Sequence, residues 1–489
     1  MLDKKQQIHH SLLYMLPMGL SALFPFVTIP IFTRILTPED YGVLALALIY
    51  AIFMCGLINF GVLGVFDRNY FKYRDNREKL AQLLFSSLVF VMTNFVVFSC
   101  ITYIYKGNIS EFLTGSAQHG NLIMTTFAAN FFYVTINNFF FTFLRNSEKA
   151  KSFTKYKIIN FVLNFIISLF LVAYLRIGII GIVMAQLITG FLLFLIFLHL
   201  ILKELPFLLN KFILLECLKI SYPLIPTFFV SVLSTQFDKY MIGLFVTVGS
   251  VGVYHIGKKI SEMVFIFMNA IQNVFQPQVY QRMFSQNKDN SESIGRYLTP
   301  FLYISIFVAL GTALFSEELL TVLTPETYHG AIPIISILSV YYGLFFFAKV
   351  PQIMFVKKTY IVSIFSIIGL ILNVALNIPL IKLYGPIGAA GATLLVGIIL
   401  GVTGFWVGQY YYKIYYEWNK VTWIMGTLFI SATAIVSLNL LNAPYLWSFL
   451  IKITSMVVFI KLGINYGIIS KENLREIISL FGFKKLSTV

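Results

Sequence analysis

Long apolar stretches alternate with short polar breaks along the whole chain. The stretches run over residues 10–33, 41–66, 80–104, 118–144, 152–175, 178–202, 218–246, 251–276, 297–315, 331–356, 359–381, 386–410, 421–441 and 446–468. Each is near or above the ~20 residues a helix needs to cross the hydrocarbon layer. The pattern predicts fourteen membrane-spanning α-helices. Strands are excluded: no alternating ten-residue segments occur, and an open sheet edge cannot be satisfied in lipid. The first run has no small-residue cleavage signature before Pro25 and reads as an uncleaved span. The fold class is an all-α polytopic membrane protein.

Composition agrees and narrows the reading. Of 489 residues, 58% are hydrophobic and 11% charged, with a mean hydropathy of +0.83. A soluble domain carries about 25% charged residues, so no stretch is left over for one. The three cysteines, Cys55, Cys100 and Cys217, have neither metal-ligand nor C-x-x-C spacing and read as packing residues. The net charge of +16 reflects sidedness. With the N-terminus inside, 26 of the 36 lysines and arginines fall in the inner segments. Only Arg34, Lys106, Arg176 and Lys382 fall outside or at outer span ends. Both termini are then cytoplasmic, and residues 105–117 and 316–330 form outer loops. The positive inner face attracts anionic membrane lipids and gives no reason to invoke nucleic acid.

An internal repeat divides the chain. At an offset of 210 residues Gly42 matches Gly252, Asn59 matches Asn269, Tyr70 matches Tyr280, and His119-Gly120 matches His329-Gly330. Further on, Tyr174 matches Tyr384 and Gly181 matches Gly391. Scarce residues recurring in register at span ends predict two parallel six-helix repeats plus two C-terminal helices. The expected parts are an N-terminal lobe (1–202), an amphipathic cytoplasmic linker (203–217), a C-terminal lobe (218–412), two further helices (413–468) and a cytoplasmic amphipathic tail (469–489). Linker and tail carry apolar faces beside lysines, the pattern of helices lying in the headgroup plane.

Candidate chemistry is confined to polar groups inside spans. Pro17, Pro25 and Pro30 in span one and Pro223 and Pro226 in span seven predict kinks. Each charged side chain at the centre of a lipid-exposed helix costs ~3 kcal/mol or more, and so is usually turned toward a cavity or a partner. These are Asp238 and Lys239 in span seven, Lys258, Lys259 and Glu262 in span eight, Lys349 in span ten, and Lys452 and Lys461 in span fourteen. Lysines outnumber acids, and Asp238 and Lys258 lie equally far from the turn near Val248. The group reads either as an ion-pair network fixing one helix on the next or as the wall of a cavity for an anionic group, and the excess of lysine favours the cavity. Lys452 and Lys461 have long stems that let them snorkel. Asn130, Asn137 and Asn138 in span four suit packing better than sugar binding. No nucleophile motif, phosphate loop or metal pair is present, so no enzyme activity and no cofactor is expected.

Three segments resemble a known family. Pro30–Leu46 (PIFTRILTPEDYGVLAL), Phe237–Val264 (FDKYMIGLFVTVGSVGVYHIGKKISEMV) and Thr324–Leu338 (TPETYHGAIPIISIL) are similar, in order and spacing, to bacterial O-antigen and capsule repeat-unit flippases. These belong to the multidrug/oligosaccharidyl-lipid/polysaccharide exporter superfamily. The resemblance implies a transporter in the bacterial cytoplasmic membrane. Such a transporter moves polyprenyl-diphosphate-linked oligosaccharides from the inner to the outer leaflet by alternating access. It further implies polysaccharide polymerase and chain-length proteins as partners, and a proton or sodium gradient as the energy source if the transport is coupled. Arg34, Asp238, Lys239 and Lys258 or Lys259 match the motif charges, and Glu262 and Lys349 complete the expected substrate-binding set. Span one ends in one arginine, Arg34, and span two has none, whereas a lipid II flippase pattern has several there. Lipid II is therefore not the expected cargo. The alternatives are a cation-coupled multidrug antiporter of the same fold, which would use intramembrane carboxylates, and a polymerase or ligase acting on lipid-linked sugars, which would need a long outer loop rich in Arg, His or acids.

Overall fold

The computed structural model describes residues 24–284, 290–348, 351–358, 360–440 and 444–468, with residues 13, 16, 17, 19 and 20 besides. Lys349, the tail from residue 469 and part of the first apolar run lie outside the described residues. Among the described residues all regular structure is helical. Nine helices there are long and apolar enough to cross a membrane, or ten if one bent pair counts as a single span. The chain divides into two compact units. The first holds residues up to Ile256 with Leu323–His329 and Asn373–Ala389, and the second holds the rest.

In the first unit, α1 (residues 24–32) is followed by α2 (Pro38–Asn59), α3 (Val62–Tyr73) and α4 (Arg77–Thr114). The start of α2 explains the Thr-Pro-Glu-Asp motif. Thr37 Oγ1 accepts from the Asp40 backbone N–H (3.2 Å), Asp40 Oδ2 accepts from the Thr37 N–H (2.8 Å), and Pro38 sits where its missing donor costs nothing. The loop expected at residues 105–117 is mostly helix. α4 runs on to Thr114, about 57 Å at 1.5 Å per residue, and stops at Gly115 with φ 74°. Lys106, Asn108 and Glu111 lower the hydropathy there without breaking helical geometry.

Next come α5 (Gly120–Thr135), a π-helical turn (Ile136–Phe141) and α6 (Thr142–Asn146), and then α7 (Ala150–Leu169) and α8 (Ile180–Glu204). α5 is apolar on most faces and lies between α2 and α8, filling the core with Phe127, Phe131 and Phe132. Of the expected linker, residues 203–204 close α8 and residues 211–217 belong to α9 (Lys211–Ser221), capped by Asn210, whose Oδ1 accepts from the Phe212 N–H at 2.9 Å. It is tied down. Asn69 donates to Cys217 Sγ (3.4 Å), and Glu216 accepts from Lys72 and from the Tyr73 hydroxyl. A 54° bend through Pro223 joins α9 to α10 (Ile225–Phe245), as the prolines predicted. The start of α11 (Val248–Phe284) then crosses α2 at two glycines. A Cβ on Gly42 would lie 1.9 Å from the Val248 carbonyl oxygen, and one on Gly252 would lie 1.8 Å from that of Pro38. These two glycines are mates in the 210-residue register. Another pair of mates, Asn59 and Asn269, makes the same bond, each donating to the carbonyl four residues earlier.

The second unit continues α11 and adds α12 (Asn290–Leu314), α13 (Ser316–Leu323), α14 (Ile332–Ala348) and α15 (Pro351–Phe355), all but the last residue of α13 lying within it. The outer loop expected at 316–330 is thus a short helix followed by a 3-10 turn (Glu326–Ala331). α16 (Tyr360–Tyr411) is two spans merged in one run. At Gly385, φ 59° and ψ −138° reverse the chain, a conformation that glycine alone takes readily. α17 (Trp418–Leu440) and α18 (Tyr445–Asn465) are the two further helices, and both pack on α12.

Candidate functional site

α10 carries the first two candidate charges inside its apolar run, and both are buried. Asp238 is 4% exposed and Lys239 6%. Asp238 Oδ1 accepts the backbone N–H of Lys239 (2.9 Å), and its Oδ2 accepts the hydroxyl of Tyr254, a fully buried residue of α11. The carboxylate is therefore held in one orientation by two donors. Sequence reasoning did not single out Tyr254, although it sits in the Val-Gly-x-Tyr motif. Lys239 Nζ donates to Gln236 Oε1 (3.0 Å). Gln236 in turn lines a cavity of about 580 Å³ whose other walls, Asn108 apart, are apolar and aromatic, including Tyr50 and Phe53 of α2, Phe112 of α4 and Tyr240 of α10. A cation one side chain away from a large apolar cavity suits an amphipathic ligand with an anionic head and a hydrocarbon body.

The remaining charges differ in setting. Lys258 and Glu262 of α11 are half-buried, and Lys259 between them is exposed. Arg34 is exposed just beyond α1, its guanidinium donating to the Pro30 carbonyl at 2.6 Å. Lys349 lies outside the described residues. Lys461 is exposed on α18. Lys452 corrects the expectation that it snorkels: its side chain is 3% exposed, and its ammonium binds Glu317 (2.9 Å) and Glu318 (2.7 Å) of α13. The acids come from the segment read as an outer loop, so a count of charges inside spans missed them. The Tyr445 hydroxyl also donates to Glu318, at 3.0 Å.

A second, smaller cavity lies within the first unit. Tyr133 of α5, Asn137 of the π turn, Asn160 and Asn164 of α7, and Gln186 and Thr189 of α8 line a cavity of about 130 Å³. Asn137 accepts from Lys157, whose ammonium stands 4.2 Å from the centre of the Phe141 ring. Asn137, which by sequence suits packing, thus lies on the cavity wall. The i, i+4 spacing of Asn160 and Asn164 was the legible signal. A π turn puts one extra residue in a helical turn and is common at functional sites. Asn130 does pack, donating to Cys55 Sγ at 3.3 Å. The described lining of this cavity offers amides and hydroxyls but no carboxylate.

The helices define a fold class, one that solved helical transporters share. Lipid II flippase MurJ in an inward closed conformation superposes with a TM-score of 0.69 at 17% identity, over 94% of this chain and 100% of that one. An inward-facing multidrug resistance MATE family transporter of the MOP superfamily gives 0.60 at 15% identity, over 79% and 94%. At such identities the likeness is one of fold. Within that class, residues 31–333 match the family described as polysaccharide biosynthesis protein, and the chain belongs to that family. The match takes in nearly all of the three segments that carried the sequence resemblance. The probable low-salt glycan biosynthesis flippase Agl15 of Haloferax volcanii is 23% identical over 255 residues, 50% of this chain and 52% of that protein. The chain spans about half the length of this curated relative.

Proposed function

We propose that the protein moves polyprenyl-diphosphate-linked oligosaccharides from the inner to the outer leaflet of the bacterial cytoplasmic membrane by alternating access, with both termini in the cytoplasm. The observation that carries this reading is the buried Lys239 beside Asp238 in an apolar helix, its ammonium on a glutamine that lines a large apolar cavity. Lys239, Lys258 and Lys259 receive the diphosphate, with Arg34 near the mouth, while Asp238 and Glu262 balance part of the charge when no cargo is bound. A diphosphate cannot enter hydrocarbon unescorted, and ammonium groups replace its hydration shell. The names of the curated relative and of the first superposed structure, both flippases, support the reading. Polymerase and chain-length proteins would take the cargo on the outer side, and a proton or sodium gradient would supply directionality.

The test is export of polymer in cells carrying the Lys258→Ala/Lys259→Ala double variant. Export should be abolished while the protein still reaches the membrane, and arginine at both positions should restore part of it. Unchanged export would move the substrate site elsewhere. The superposition on MATE transporters favours a second reading, a cation-coupled drug antiporter centred on the buried Asp238. That reading requires Asp238→Asn to abolish efflux of a cationic dye such as ethidium, and a protein that moves no dye excludes it.

A further inference from the structure

The second unit holds a cavity of about 400 Å³ that no step of the proposed transport uses. One wall is a polar stripe on a single helix: Gln272, Gln276 and Tyr280 follow one another at four-residue intervals along α11 and so share a face, one turn apart. Ser366 of α16 adds a hydroxyl. The facing walls are apolar and include Phe345 of α14, Met354 of α15 and Phe365 of α16. Gln272 is 2% exposed, and among the described residues neither its amide nitrogen nor its carbonyl oxygen has a partner. A buried donor or acceptor left unmade costs its full desolvation, so an amide with both unmade weakens the empty protein. Leucine would fit the surrounding walls better. Pro277 lies within the stripe and cannot donate to the carbonyl four residues before it, which loosens α11 where it faces the cavity.

The chemistry of the lining selects among ligands. Among the described residues the lining offers amides and hydroxyls and no charged side chain, a chemistry that suits an uncharged polar ligand. A hydrocarbon chain would fill the apolar walls and leave Gln272 unmade. A pyranose ring meets both needs: vicinal hydroxyls give an amide one donor and one acceptor, and the C–H face of the ring packs on aromatic rings. At about 400 Å³ the cavity also falls in the usual size range of ligand sites. Along α11 the cavity is far from the lysines. Gln272 follows Lys259 by thirteen residues and Lys258 by fourteen, about 20 Å of helix.

We infer that this cavity is a glycan subsite, in which Gln272 and Gln276 hydrogen-bond an uncharged sugar ring of the cargo that is distal to its diphosphate. The assignment rests on the flippase reading. Binding to the full-length protein in lipid nanodiscs tests it with three probes: the lipid-linked glycan extracted from cells that make the protein, the same lipid carrying its first sugar alone, and bare polyprenyl diphosphate. Gln272→Leu and Gln276→Leu should each weaken the full glycan at least tenfold and leave the other two probes unchanged. The melting temperature of empty Gln272→Leu protein should equal or exceed that of the parent. Parent-like binding of the full glycan by both variants, equal losses for all three probes, or a lower melting temperature for Gln272→Leu would each overturn the subsite. A parent protein that binds none of the probes would instead refute the flippase reading, and the subsite with it.

Discussion

Lys452 shows how far a side chain's surroundings can depart from its place in the sequence. By position it is a lone lysine in an apolar helix, and by structure it is the centre of a three-residue cluster with Glu317 and Glu318. Taking away one partner of a buried pair leaves the others uncompensated, which typically costs about 3–5 kcal/mol. Lys452→Ala should therefore lower stability by about 3 kcal/mol in a detergent melt, the low end of that range because Glu317 is 43% exposed. The triple variant Lys452→Met/Glu317→Gln/Glu318→Gln should recover most of the loss. If Lys452→Ala melts with the parent, the cluster contributes nothing. None of this was legible in advance, because the acids precede the lysine by 134 and 135 residues. Asp238 and Lys239 were legible, since a charge in an apolar run stands out wherever its partner lies.

At the level of elements, hydropathy placed the helices well and their ends poorly. α4 overran its expected end because Lys106, Asn108 and Glu111 are polar without being helix breakers, whereas Gly115 and Gly385 mark real reversals through positive φ. The crossing of α2 and α11 gives the sharpest test of an element contact. A methyl at Gly252 would stand 1.8 Å from a backbone oxygen, which no side-chain rotation relieves. Gly252→Ala should cost about 3 kcal/mol, at the upper end of overpacking, as read from the melting temperature. Gly426→Ala on α17, where nothing lies within 4 Å of the new methyl, should change it little and serves as the control. Equal melting of the two variants would mean that the helices part at no cost.

For the whole molecule, the apolar pattern and the three motif segments were enough to give the fold class and the family. The amide-lined cavities were not foreseen: Asn, Gln and Thr register weakly on any hydropathy scale, and their convergence depends on helix rotation, which the sequence does not encode locally. Orientation is the property of the whole chain most open to a direct test. In a cysteine-free background, cysteines at Ser116 and Glu326 should react with an impermeant thiol reagent in intact cells, and one at Lys413 should not, following the bias of positive residues. Protection of both outer positions would invert the topology. The Lys452 cluster, finally, has a bearing on time. The chain is made from its amino end, so Glu317 and Glu318 enter the membrane before their lysine exists. At about 5–20 residues per second the ribosome needs roughly 7–27 seconds to reach Lys452. For that interval two like charges face an unfilled position, until α18 brings Lys452 to them. Packing of α18 on α13 therefore follows the order of synthesis: a chain stopped before Tyr445 would leave the two carboxylates without the ammonium of Lys452.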